Sequence, residues 1–198
     1  PPPDAARGRI YYLKTDHLSS RPLYQLEALS QHEAVPCHHL QFALQAELTD
    51  LHPISRESNF TAFIEGWALY SERLGKEIGF YKDPYQDFGR LSMEAWRASR
   101  LVVDTGIHWM GWSRDKAIEY MTDNTALSEH NVVAEVDRYI GWPGQALAYK
   151  TGELAISRIR RQAEERLGDR FDIRAFHDRV LEAGSIPLPL LETRVAEW

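Results

Sequence analysis

Residues Ser30–Gln41 read SQHEAVPCHHLQ and lie within a longer stretch, Leu23–Leu51, whose apolar residues recur at helical spacing. Pro36 interrupts this pattern. A proline inside a helix lacks the N–H for one backbone hydrogen bond, and its ring collides with the carbonyl group four residues earlier. The sequence therefore predicts a helix that is kinked or bulged between Val35 and His38, with histidines on both sides of the distortion.

Outward from this stretch, the chain continues as a series of predicted helices. Periodicity and end signals place them at Ser58–Gly79, Arg90–Trp112, Ser113–Leu127, Asn131–Ile140, Pro143–Leu167 and Asp172–Gly184, with a short helix at the C-terminus. The segment RIYYLKT, Arg9–Thr15, is rich in strand-forming residues. No internal repeat or low-complexity linker divides the chain. We therefore expect a single mainly α domain over residues 1–198, with a short β element near the N-terminus.

Composition and charge limit the classes of function. The chain of 198 residues is 43% hydrophobic and 26% charged, as expected of a globular protein, and its formal net charge is -6. This acidic balance argues against nucleic acid as a partner, because phosphate binding requires a basic face. No run of residues reaches the roughly 18 apolar positions of a membrane span.

Other features leave the compartment and the oligomeric state open. The lone Cys37 excludes an internal disulfide and does not indicate a redox compartment. The N-terminal segment PPPDAARGR has the features of neither a signal peptide nor a transit peptide. Its three prolines suggest the interior of a longer chain.

The residues of the quoted stretch could form half of a metal site. Catalytic zinc typically takes three His or carboxylate ligands and leaves one position open for water, with a glutamate beside it as general base. His32 and Glu33 supply a ligand and a base in the order of the His-Glu-x-x-His motif, although Pro36 stands where that motif has its second histidine. His38 and His39 both stay open as the second ligand, because a distorted helix makes their spacing an unsafe guide.

The other half of the site lies in FIEGWALYSE, Phe63–Glu72. Glu65 is a carboxylate in an apolar, aromatic stretch of helix, and a charge in such surroundings needs a partner. A metal ion would be one, and an arginine would be another. Glu72 lies two turns further along the same face, where it can hydrogen-bond to a ligand histidine. The order of the two halves on consecutive helices favours a metal site over a solvated histidine cluster and a salt-bridged glutamate.

Five segments carry a resemblance to a known family. They are HEAVPCHHLQ, FIEGWALYSE, VVDTGIHWMGWSRDKAIEYM, EVDRYIGWPGQALAYKTGELAI and FDIRAFHDRVLEAGSIPLPLLE. Together they resemble the C-terminal part of a bacterial family named domain of unknown function 885, which is regarded as zinc-peptidase-like. That family is similar to the gluzincin metallopeptidases. The resemblance implies a multi-helix, zincin-like catalytic domain that belongs to a longer architecture.

The resemblance also implies a ligand set. One Zn²⁺ per chain would be held by His32, by His38 or His39, and by Glu65, with Glu33 as the general base. The Gly-His pair of the family favours His38, and His39 is the alternative. This chain departs from the family at position 37, where it has cysteine instead of glycine. Glycine would suit a bulge with positive φ better than cysteine does.

Three residues of the later helices are candidates for contacts with substrate. His108 ends a series of polar residues at intervals of four, which could border the cleft or form an ion-pair ladder in solvent. Tyr139 could stabilise an oxyanion and Arg138 could hold a substrate carboxylate, as in related peptidases, with Tyr149 as the next tyrosine. Core packing of the tyrosines and a salt bridge of the arginine are the alternatives.

The predicted function is a zinc-dependent, peptidase-like hydrolysis of peptide (amide) bonds by a metal-activated water. The substrate would be a peptide or another small amide or ester. The alternative is a non-catalytic or degenerate, metal-stabilised helical binding module.

Overall fold

The computed structural model describes residues 10–12, 18 and 21–198, and its regular elements are helical. The helices are α1 (Leu26–Glu33), α2 (His38–Glu47), α3 (Pro53–Glu57), α4 (Thr61–Glu77), α5 (Pro84–His108), α6 (Arg114–Asn124), α7 (Glu129–Gly141), α8 (Ala148–Leu167), α9 (Ile173–Leu181) and α10 (Leu188–Ala196). Single 3₁₀ turns lie at Leu23–Gln25, Gln145–Leu147 and Gly168–Arg170. The predicted mainly α class is confirmed. In the described part of the chain, no helix is both long enough and apolar enough to cross a membrane.

The predicted β element is not seen. Most of Arg9–Thr15 lies outside the described residues, and the part that is described, residues 10–12, has no regular secondary structure.

The predicted break at Pro36 is confirmed. The first predicted helix is divided into α1 and α2 by residues 34–37. Ala34 has φ −101° and ψ −102°, and Cys37 has φ −101° and ψ −129°, so neither residue is helical. The indole Nε1 of Trp67 in α4 donates a hydrogen bond of 3.0 Å to the carbonyl oxygen of Pro36. The interruption is therefore held against α4. Because φ of Cys37 is negative, this position does not require the glycine of the family pattern.

The starts of α5 and α8 differ most from the prediction. The helix predicted to begin at Arg90 begins at Pro84, because the Asp83 side chain accepts hydrogen bonds from the backbone N–H groups of Tyr85 and Gln86. The helix expected to start at Pro143 begins only after a 3₁₀ turn, since Gly144 has a left-handed φ of 82°.

The centre of the fold is the contact between α4 and α8. A Cβ atom added to Gly66 would lie 2.5 Å from the backbone of Gly152, and one added to Gly152 would lie 1.9 Å from the carbonyl oxygen of Ala62. Only glycine permits this approach of two helix backbones. The pair packs against α9 and α10 in one apolar core, and α5, α6 and α7 share a second core. This contact fixes α4, which carries part of the predicted metal site.

Candidate metal centre

Side chains from α1, α2 and α4 converge at one point. The Nε2 atoms of His32 and His38 lie 3.4 and 3.3 Å from Oε2 of Glu65. The two imidazole rings meet edge to face, with their centroids 4.8 Å apart. One donor atom from each of the three residues lies within 4.8 Å of the others. We refer to His32, His38 and Glu65 as the trio.

The helix interruption makes this convergence possible. His32 lies in the last turn of α1, and His38 is the first residue of α2. In an unbroken helix, residues six positions apart point in clearly different directions. The non-helical residues 34–37 redirect the chain, so that both imidazoles face Glu65 in the second turn of α4.

His32 is held at both ring nitrogens. Its Nδ1 lies 2.6 Å from Oε1 of Glu72, and both side chains are buried. With the Nδ1–H donated to Glu72, the Nε2 lone pair faces Glu65 and is available to a metal ion. Burial alone would lower the pKa of His32, but the neighbouring carboxylates of Glu65 and Glu72 outweigh it and raise that pKa above its ordinary value.

The donor set fits a zinc ion. Oε2 of Glu65 is buried and accepts no hydrogen bond of normal geometry from the described residues. Burial opposes ionisation of Glu65, but the close contacts of this carboxyl with the imidazoles of His32 and His38 prevail and lower its pKa well below the usual range. A buried carboxylate oxygen flanked by two imidazole nitrogens could hold a cation. A catalytic zinc ion typically has three protein ligands with nitrogen or oxygen donors and a fourth position open for water. The trio offers two nitrogens and one oxygen.

Glu33 borders an open cleft beside the trio. The cleft has a volume of about 320 Å³, and its lining residues are Ile10, Tyr11, Glu33, Ala34, His38, His39 and Phe42. Glu33 is exposed, whereas its neighbour His32 is buried. Successive residues of a helix point about 100° apart, so α1 directs His32 inward and Glu33 towards the cleft.

The structure distinguishes the two possible second histidines. His38 belongs to the trio, whereas His39 is exposed and lies on the wall of the cleft. Cys37 does not belong to the trio and is fully buried in the core shared by α4, α8, α9 and α10. The cysteine therefore packs in the core, and His38, the next residue, still reaches the trio.

Tyr139 lies in a polar network around Glu135. Its hydroxyl accepts hydrogen bonds from Nε of Arg100 at 2.9 Å and from Nε1 of Trp96 at 3.1 Å, and it donates one to Glu135 at 2.8 Å. The side chain is 1% exposed. Burial is the main reason that the pKa of Tyr139 is raised to about 12.

Arg138 and His108 join the same network. Arg138 donates to Glu135 at 2.8 Å and to Gln145 at 2.9 Å, and Nε2 of His108 lies 2.9 Å from the backbone oxygen of Tyr139. None of these contacts reaches the trio. The substrate contacts assigned to Tyr139, Arg138 and His108 stay predictions, and none of the contacts described above joins these residues to the trio.

Two other residues approach the trio from within the protein. The ring of Tyr149 is stacked with that of His32 at a centroid distance of 6.3 Å. Nη2 of Arg97 lies 3.9 Å from Oε1 of Glu72. Sequence reasoning had named Tyr149 as a secondary candidate and had missed Arg97. The only signal for Arg97 is its place on the face of α5 that also buries Met93 and Arg100.

Comparisons with known proteins agree with this fold. The structure matches the putative lipoprotein from Colwellia psychrerythraea with a TM-score of 0.97 and 46% identity, over 100% of this chain and 34% of that one. It also matches a putative lipoprotein of unknown function from Shewanella oneidensis with a TM-score of 0.84 and 25% identity, over 98% of this chain and 37% of that one. This chain therefore spans about a third of the length of either protein.

A search among curated proteins gives no match. A family profile, described as bacterial protein of unknown function (DUF885), matches residues 1–195. Because the profile covers nearly the whole sequence, the chain belongs to the DUF885 family of bacterial proteins.

Proposed function

We propose that this chain is a zinc-dependent hydrolase of peptide (amide) bonds. The observation that carries the proposal is the convergence of His32 Nε2, His38 Nε2 and Glu65 Oε2 next to a cleft bordered by Glu33. When bound, zinc would polarise a water molecule and the carbonyl group of the substrate. The remaining tasks fall to the side chains of the protein.

The first task is to hold the ligands in place before metal arrives. Glu72 keeps the proton of His32 on Nδ1 and so presents Nε2 to the site. The hydrogen bond from Trp67 to Pro36 holds the interruption from which His38 emerges. The α4–α8 contact fixes the helix that carries Glu65. A site held in this way loses little conformational entropy on binding.

The second task is proton transfer, which we assign to Glu33. Its carboxylate borders the same cleft as His38 and is open to solvent. A carboxylate in that position can take a proton from the attacking water and pass it to the leaving amine. The exposed Tyr11 and the partly buried Phe42 offer apolar surface beside Glu33 and His38, which suits an amide or ester substrate that enters from solvent.

The alternative is a non-catalytic domain that uses the metal for stability. One observation favours it: the trio joins three separate helices, α1, α2 and α4, so a bound ion would tie them together. Both functions require the metal, and only hydrolysis requires Glu33.

Replacement of Glu33 by glutamine separates the two functions. Glutamine preserves the size of the side chain but cannot accept the proton, so we expect hydrolysis to fall by about 10²- to 10⁴-fold, with zinc content unchanged. The assay follows cleavage of a peptide mixture by mass spectrometry, together with a panel of chromogenic amides and esters. Glu47→Gln, an exposed glutamate of α2 outside the cleft, is the control.

Two outcomes would count against the proposal. Full activity of the Glu33→Gln variant would show that Glu33 is not the base. A zinc-loaded native chain that cleaves no member of the mixture or the panel would favour the non-catalytic domain.

A further inference from the structure

The carboxylate of Glu72, which forms a hydrogen bond with His32 of the trio, is a buried charge and needs a counter-ion. Glu72 accepts from His32 through Oε1, and its side chain is 1% exposed. Its other oxygen, Oε2, has no hydrogen-bond partner among the described residues. A buried carboxylate costs several kcal/mol unless an opposite charge compensates it. The guanidinium of Arg97, 5% exposed and 3.9 Å from Oε1 of Glu72, supplies that charge.

We propose that Arg97 is a positioning residue of the metal centre, which acts through Glu72 on His32 and thereby raises the affinity for zinc. The inference rests on the zinc site of the proposed function. In this proposal α5 helps to position the metal ligands, although none of the trio lies on this helix.

The contacts form a continuous chain from α5 to the trio. Arg97 is fixed by the Trp96 ring, 4.4 Å from its guanidinium carbon, and by Met93, whose sulfur lies 3.0 Å from Nη1. From that fixed position its charge attracts the Glu72 carboxylate on α4. Glu72 in turn determines which way the His32 imidazole faces. Without Arg97 the carboxylate would lose its counter-ion, and Glu72 would hold the His32 imidazole, with Nε2 pointed at the site, less firmly.

Arg97 could instead serve only as packing, and Arg100 offers a matched control for that role. Arg100 is similarly buried, at 3%, and its guanidinium also lies 4.4 Å from the Trp96 ring. Its ion-pair partner is Glu135, at 3.0 Å. Arg100→Met therefore removes a comparable buried guanidinium from the same helix without removing the partner of Glu72.

The experiment measures zinc affinity by competition with a chromophoric chelator at one fixed pH. The proteins are the native chain, Arg97→Met, Arg97→Lys, Arg100→Met, Glu72→Gln and the double variant Arg97→Met/Glu72→Gln, each verified as helical by circular dichroism. We expect Arg97→Met to weaken zinc binding by about 10- to 100-fold, Arg97→Lys to lose clearly less, and Arg100→Met to bind like the native chain. In the Glu72→Gln background, the loss from Arg97→Met should largely disappear, because both changes break the same chain of contacts.

Several results would overturn the inference. They are native affinity in Arg97→Met, an equal loss in Arg97→Lys or Arg100→Met, and additive losses in the double variant. If Arg97→Met does not fold, Arg97→Gln takes its place in the same comparison. Absence of zinc binding by the native chain would refute the proposed function and this inference together, whereas native-like zinc binding by Arg97→Met would refute only the inference.

Discussion

At the scale of single residues, His32 shows most directly how this centre is built. Glu65 meets its Nε2 and Glu72 its Nδ1, so one imidazole lies between two carboxylates of the same helix. Sequence reasoning could propose both contacts, because a seven-residue spacing places Glu65 and Glu72 on one helical face. Spacing alone could not choose between His38 and His39, because that choice depends on the backbone angles of residues 34–37; only the family resemblance favoured His38.

Cys37 should be unreactive in the folded protein. Its thiol is fully buried, and burial raises its pKa well above the ordinary value, so little thiolate forms and reagents cannot reach it. We expect no reaction with Ellman's reagent at pH 8 under native conditions and one thiol per chain after unfolding in guanidinium. Rapid reaction of the native protein would show that the residue is accessible and would contradict its place in the core.

His177 should make stability depend on pH. Burial, with the charge of Arg160 as a further cause, lowers its pKa from 6.5 to about 4, and Nε2 accepts a hydrogen bond of 2.9 Å from the hydroxyl of Tyr70. Between pH 4 and pH 6.5 the unfolded chain binds more protons at this residue than the folded chain does. The contribution of His177 to stability is therefore complete above pH 6.5 and is lost as the pH falls towards 4.

Urea unfolding at pH 7 and pH 5 tests this dependence. Between pH 7 and pH 5 we expect the free energy of unfolding of the native chain to fall by about 1 kcal/mol more than that of His177→Gln. This figure allows for the partial exposure of His177. Equal losses in the two proteins would show that the residue titrates normally in the folded state.

At the scale of elements, the sequence predicted which segments are helical better than where they begin and end. The boundaries at α5 and α8 were wrong because a cap at Asp83 and a left-handed residue at Gly144 determine them. Asp83 and Gly144 are both visible in the sequence, but the prediction of the helix starts did not use them. The approach of α4 to α8 could not be predicted, since a glycine inside a helix does not reveal what packs against it.

Gly152→Ala should be among the most damaging small substitutions in the chain. The new methyl carbon would lie 1.9 Å from the carbonyl oxygen of Ala62, so the helices would have to separate. We expect a loss of about 3 kcal/mol or more in the free energy of unfolding, because overpacking against backbone cannot be relieved by a side-chain rotation. Thermal and urea unfolding measure the loss.

Gly141→Ala is the control for this substitution. Its added methyl would meet no atom within 4 Å, and the residue ends α7. We expect stability to stay equal or to rise by up to about 1 kcal/mol, the usual gain when alanine replaces a helical glycine. If both glycine variants behave alike, the α4–α8 contact is not as close as described.

At the scale of the whole molecule, the trio joins three separate helices, α1, α2 and α4. A metal bound by His32, His38 and Glu65 would therefore stabilise the native state. We expect the purified chain to contain about one zinc ion, measured by mass spectrometry of the metals, and its melting temperature to fall when a chelator removes the ion.

Glu65→Ala should abolish both effects, whereas Glu57→Ala, an exposed glutamate outside the trio, should keep them. If the purified chain contains another metal, and the Glu65→Ala variant loses it, the metal site stands but the ion is not zinc. A native chain without any metal would refute the centre itself.

The arrangement on α4 has a consequence for insertions and deletions. Glu65 and Glu72 contact the His32 imidazole from two sides. One residue added between them would rotate one carboxylate by about 100° around the helix axis, so that only one of the two contacts could form. Residues 34–37, between His32 and His38, are not helical, and this segment could change in length at lower cost. Remote relatives that share this centre should therefore vary in the distance between their histidines and preserve the distance between their glutamates.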